Sequence, residues 1–238
     1  MFGHRARRCP HFQPRMRYVF QFGIVADHTD ELIHGALSTL WLTTCGAVGG
    51  LLLATLCVFL RTAGPKPVRW AIISYVEVIR NTPFLVQLFV LYFSLPALGV
   101  RLYAEQAAIL GLAISFGGYA TEILRSGIEA VPRGQIEAAR ALGLRPFKIF
   151  RRIIVYQAFK IVYPALASQV VILLLGSSIV SAISATELTA ITNSLQSQTF
   201  RAFEFYFVAA AIYLGMAFAT KAVLASLYWL MFVRGREA

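Results

Sequence analysis

Uncharged runs long enough to cross a bilayer recur along the chain, each closed by basic or proline-containing stretches. A spanning helix needs ~20 apolar residues, and Ile33 to Leu60, ending at Arg61, meets that length and predicts the first span. Gly46 and Gly50 stand four apart within it; such spacing lets two membrane helices approach closely, or marks glycine tolerated on a lipid-facing side. "RTAGPKPVRW" follows, with two prolines that stop helix continuation. From Ile72 the chain turns apolar again. Glu77 and Arg80, three apart, are close enough on one helical face to pair, and Pro83 opens a cleaner run, so the second span begins amphipathically. Ala104 to Leu124 predicts the third, with Glu105 and Glu122 at its ends. Ile161 to Ile183 predicts the fourth and Phe205 to Val233 the fifth, whose Lys221 is expected to snorkel to the nearer interface. Glu187 and Glu204 read as solvated loop residues.

Composition agrees with this pattern. Of 238 residues 58% are hydrophobic and 14% charged, with a mean hydropathy of +0.67, well above the balance of a soluble domain. The 22 Lys and Arg exceed the 11 Asp and Glu by a net +11. In a soluble protein that excess would suggest nucleic acid; between spans it marks cytoplasmic loops, and no nucleic-acid partner is expected. Cys9, Cys45 and Cys57 have no paired spacing, and His4, Cys9 and His11 are not read as a metal site.

Basic residues set the topology. Three lie between the first and second spans, one (Arg101) in the next connection, eight from Arg125 to Lys160, one (Arg201) in the fourth connection, and Arg234 and Arg236 close the chain. The alternation puts the N-terminus outside and the C-terminus inside. "MFGHRARRCPHFQPR" opposes it with four arginines, so Met16 is read as the start and residues 1–15 as translated upstream sequence. The expected organisation is a lead-in over 1–32, a transmembrane unit over 33–233 carrying a cytoplasmic loop at 125–160, and a cytoplasmic tail at 234–238.

That loop is more than a linker. In "EAARALGLRPFKIFRRIIVYQA", Glu137, Ala138 and Ala139 begin with strong helix formers. Gly143 can take the left-handed conformation that ends a helix, and Pro146 can open the next. Phe147, Phe150 and Ile154 form an apolar stripe, which predicts a second short helix lying at the membrane surface. By physics alone it serves either as an anchor on anionic lipid or as a docking element.

The stretch resembles the EAA loop of ABC importer permeases: Glu-Ala-Ala, three residues, Gly, nine residues, Ile, one residue, Leu-Pro. Glu137, Ala138, Ala139, Gly143 and Ile153 match at that spacing, whereas Val155 and Tyr156 replace Leu-Pro, so the bend after the loop differs or is supplied by Pro164. "VEVIRNTPFLVQLFVLYF", "GGYATEILRSGIEAVPRGQIEAARALG" and "SQTFRAFEFYFVAAAIYL" are similar to segments of the polar amino acid branch of these permeases. The resemblance implies an all-α membrane protein with about five transmembrane helices, a type I importer permease-like bundle in the bacterial inner membrane. It also implies an ABC ATPase subunit docking on the loop, a second permease half (a copy or a relative), and a periplasmic solute-binding protein. No GxxxxGK[ST] loop occurs, so ATP and Mg²⁺ belong to the partner ATPase, and this chain holds no cofactor.

Polar groups inside a bundle are costly in lipid and mark candidate pathways: Gln87, Glu122, Gln169, Ser177, Ser178 and Ser181. Each can equally serve an interhelical hydrogen bond. In the family a Lys-Asp pair often precedes the Ser or Thr pair; here Leu175 and Gly176 stand there. Glu77 and Arg80 are expected to pair with each other. A membrane-embedded enzyme is disfavoured because all four histidines lie at or before His34. An ion-coupled secondary transporter of small polar solutes is the alternative.

Overall fold

A computed structural model describes residues 18–232 as helices joined by short connections, with no strand among them. His4, Cys9, His11, Met16, Val233 and the 234–238 tail lie outside the described residues, as do the expectations placed on them. A short α1 (Gly23–Asp27) leads into α2 (Thr29–Ala63), α3 (Lys66–Asn81) and α4 (Phe84–Phe89). Then come α5 (Ala104–Glu129), α6 (Arg133–Ala141), α7 (Pro146–Ile149), α8 (Val155–Gly176), α9 (Leu188–Thr199) and α10 (Ala202–Phe232).

Glycines let α2 and α5 approach until backbones nearly touch. A Cβ on Gly46 would lie 2.7 Å from the Leu112 Cβ, and one on Gly50 2.7 Å from the Ala113 carbonyl; the four-residue spacing therefore serves helix contact. Leu42, Leu88, Leu112, Phe116, Val162 and Leu166 fill the core between α2, α4, α5 and α8. A second cluster around Leu32, Leu174, Leu188, Leu195 and Phe205 seats α9. Large apolar residues elsewhere, such as Trp41, Leu52 and Phe218, are exposed, as a lipid-facing surface requires.

Three expectations change. The second span is broken: α3 and the run Phe84–Leu98 meet at 115° across Thr82 and Pro83. Pro83 supplies no amide hydrogen, and the freed carbonyls of α3 are taken by side chains, with Asn81 donating to Glu77 O, Thr82 to Val78 O, and Gln87 Nε2 to both Ile79 O and Thr82 O at 2.8 Å. The second loop helix is not a short surface element, because α7 continues through a π-turn at Phe150–Ile154 into α8 and on to Ile183, one 38-residue helix that passes through Pro164. Its apolar stripe, Phe147, Phe150 and Ile154, lies on the first turns of that continuous helix.

The third change is α9. This 12-residue helix packs between α2 and α10, and its polar face hid it from a search for apolar runs. Glu187, its N-cap, is fully buried instead of solvated, and so is Glu204 in the first turn of α10. Glu187 caps α9 by accepting from Ala190 N at 2.7 Å, and Leu188 N donates to Thr39 Oγ1 on α2. Glu204 accepts from the Tyr18 hydroxyl and from Gln21 N, tying the segment before α1 to the start of α10.

Candidate functional site

Two features share the chain's longest helix. At one end of the bundle, where α2 and α5 finish, α6 and α7 form an exposed turn. The helix α6 closes as a Schellman motif: Leu144 N donates to Ala139 O and Gly143 N to Arg140 O, with Gly143 at φ +70°. Glu137, Ala138 and Gly143 are exposed and Ala139 is buried. Gln157 Nε2 donates to Gln135 Oε1 at 2.5 Å, pinning α6 against α8. Leu142 and Phe147 flank the bend with 80% and 74% of their surface exposed. Two large apolar side chains presented beside a glycine turn are the chemistry of a protein contact, and Leu142 is a member that its sequence position alone did not single out.

Near mid-height of the bundle, α4, α5 and α8 enclose a cleft of about 410 Å³. Gln87 and Gln169, two of the expected pathway residues, both line it, with Thr82, Ser115, Tyr119 and Gly176. Thr82 and Tyr119 were missed; the Thr-Pro break was the signal for the first. No residue lining the cleft carries a charge. Gln87 Nε2 is spent on the Ile79 and Thr82 carbonyls, while its Oε1 is buried with no partner among the described residues.

The other expected pathway residues are absent from the cleft lining. Ser177, Ser178 and Ser181 turn their hydroxyls onto the Leu174, Leu175 and Ser178 carbonyls of their own helix. Glu122 belongs to an ionic cluster near the end that carries the turn: it accepts from Arg125 at 2.5 Å and from Arg61 at 3.4 Å, and Arg125 also meets Glu129. Arg61, Arg69, Arg125 and Glu129 border a second cleft of about 400 Å³ there.

Glu77 and Arg80 do not form an ion pair with each other; among the described residues neither belongs to any salt bridge. Glu77 accepts from Asn81 Nδ2 at 3.2 Å, and the Arg80 guanidinium stands 5.9 Å from the Tyr119 ring centroid. In the connection before α9, burial pushes the Glu187 carboxyl up from the ordinary carboxylate range, against hydrogen bonds led by that of Tyr213 that pull it down.

Residues 39–233 match the family described as "binding-protein-dependent transport system inner membrane component". The chain belongs to that family. It is 35% identical over 191 residues, 80% of this chain and 88% of the other, to a probable glutamine ABC transporter permease protein of Bacillus subtilis. It is 34% identical over 185 residues, 77% and 84% of the two chains, to a glutamine transport system permease protein of Escherichia coli. The crystal structure of an amino acid ABC transporter with histidines aligns over 90% of this chain and 100% of its own, at TM-score 0.84 and 36% identity. An inward-facing methionine ABC transporter, at 18% identity, TM-score 0.71 and coverages of 85% and 96%, shares the fold.

The all-helical bundle is thus that of type I importer permeases, and the chain is a multi-pass transport subunit of the membrane, not a catalyst. Family membership favours the importer over the ion-coupled carrier.

Proposed function

We propose that this chain is the permease subunit of an ATP-driven importer in the bacterial inner membrane, forming with a second permease half the path for a polar amino acid that a periplasmic binding protein delivers. Relatives named for glutamine, cystine and octopine support amino acid cargo. The basic residues Arg61, Arg69, Arg125 and Arg140 gather at the end that carries the α6–α7 turn, so that end faces the cytoplasm, with the N-terminus outside and the C-terminus inside. The turn is the coupling element: Glu137, Ala138, Ala139 and Gly143 shape it, Leu142 and Phe147 enter a groove on a separate ATPase, and that ATPase binds ATP and Mg²⁺. We assign the cargo pathway to the cleft beside Gln87 and Gln169; Glu122 and the three serines hold structure.

The observation that carries this reading is that one unbroken helix, Pro146–Ile183, begins in the exposed turn and borders the cleft at Gln169 and Gly176. The test is copurification and uptake. The wild-type chain is expected to purify with its ATPase and to support uptake of radiolabelled L-glutamine, L-arginine or L-cystine that stops when the ATPase is deleted. Glu137→Lys and Gly143→Pro are expected to lose the ATPase while the chain still inserts. Uptake that persists without the ATPase would overturn the proposal.

A further inference from the structure

Arg80 and Glu77 sit at an improbable depth for charges that form no ion pair among the described residues. Tyr75 donates to the Ile114 carbonyl at 2.7 Å, the Ile79 side chain lies against Gly118, and Arg80 stacks over Tyr119, so the last turn of α3 is level with the middle of α5, a spanning helix. Both side chains are exposed on this chain. A charge facing lipid at mid-span costs several kcal/mol, and such residues face a water-filled path or a partner. Non-helical backbone is tolerated at that depth only where it is buried in protein or lines a cavity, and the Thr82–Pro83 break is such backbone, with Thr82 on the cleft wall.

Arg80 is placed next to that cavity, and Glu77 lies one helical turn from it. Tyr119 lines the cleft and carries Arg80 on its ring face, with its hydroxyl on the Arg80 carbonyl at 3.4 Å. Arg80 is therefore held at the rim by a cation–π contact, leaving its guanidinium edge for an anion. Glu77, one turn earlier, is braced by Asn81 and forms no ion pair among the described residues. Beside them the cleft offers neutral amides and hydroxyls, including the unpartnered Gln87 Oε1. Opposite charges a helical turn apart, beside a neutral polar chamber, match a zwitterionic head group with a variable side chain.

We propose that Glu77 and Arg80 hold the head group of the transported amino acid, Glu77 taking the α-ammonium and Arg80 the α-carboxylate in bidentate fashion, while the cleft beside Gln87 and Gln169 takes the side chain. The inference rests on the amino acid cargo proposed above. It places recognition of the invariant part of the cargo in this subunit, independent of which side chain the binding protein selects.

The experiment uses the complete transporter in proteoliposomes, with its ATPase, second permease half and binding protein, and radiolabelled L-glutamine, L-arginine and L-cystine as probes. The readout is probe taken up per ATP hydrolysed. Arg80→Gln and Glu77→Gln are expected to lower this ratio tenfold or more for every probe the wild type carries. Arg80→Lys keeps the charge but not the fork and is expected to lower it about threefold; it also serves if a neutral variant fails to assemble. If these charges only pair across to the second permease half, uptake and hydrolysis fall together and the ratio stays at the wild-type value, which overturns the inference alone. A wild-type complex that carries none of the probes overturns the cargo reading and this inference with it.

Discussion

The Tyr213 hydroxyl on α10 donates to the buried Glu187 carboxylate at 2.6 Å, and Thr189 lies 3.0 Å from the same hydroxyl. One carboxylate thereby caps α9 and fastens it to α10. Tyr213→Phe is expected to cost about 1 kcal/mol, and Glu187→Ala, which strips the cap and removes the hydroxyl's carboxylate partner, about 1–3 kcal/mol. Thermal unfolding of the detergent-solubilised chain measures both, and the double variant should lose less than the two single losses added together.

Gly127 is where α5 admits α8. A Cβ there would stand 2.1 Å from Val162 Cγ1, so Gly127→Ala overpacks the contact at a cost of about 1–3 kcal/mol. Adding Val162→Ala removes the clashing methyl groups and is expected to restore most of the melting temperature. Failure to recover would mean that the α5–α8 approach is looser than described.

Gly143 needs its positive φ of +70° for the α6–α7 turn. A side chain in the left-handed region costs roughly 1–2 kcal/mol, with Asn the best tolerated. Gly143→Val is therefore expected to copurify with less ATPase than Gly143→Asn does, with insertion into the membrane intact in both. Equal recovery of the ATPase would show that the turn's shape is not what the partner reads.

Glu122 neutralises two half-buried arginines. Its loss leaves Arg61 without a carboxylate among the described residues, whereas Arg125 keeps Glu129. Glu122→Ala is expected to destabilise the detergent-solubilised chain by about 1–2 kcal/mol, and Arg61→Ala in that background to return part of it. A melting temperature insensitive to Glu122→Ala would remove this cluster from the account of stability.

Much of this was legible in the residues. Runs such as Ile33–Leu60 announce spans because lipid demands continuous apolar sequence, and Gly143 with Pro146 announces a helix end and a helix start. What escaped obeys weaker local signals. The polar face of α9 hides a helix whose burial comes from its neighbours; Glu187 looks solvated until it is seen to cap that helix, and Glu204 until Tyr18 and Gln21 are seen to close over it. Glu77 and Arg80 satisfy the spacing for a pair, yet Asn81 and Tyr119 claim them instead, a choice made by tertiary packing that sequence spacing cannot register. The serines at 177, 178 and 181 read as pathway residues by type and position, and only the structure shows their hydroxyls donating to carbonyls of their own helix.

The unbroken run from Pro146 to Ile183 has a mechanical corollary. Its opening turn stands in the exposed bend, and its far half walls the chamber where Gln87 waits. Helical turns link those two points without an intervening loop, and the π-turn and Pro164 between them are where such a helix bends, so a tilt imposed at its foot is carried to the solute chamber as a swing shaped at those two places.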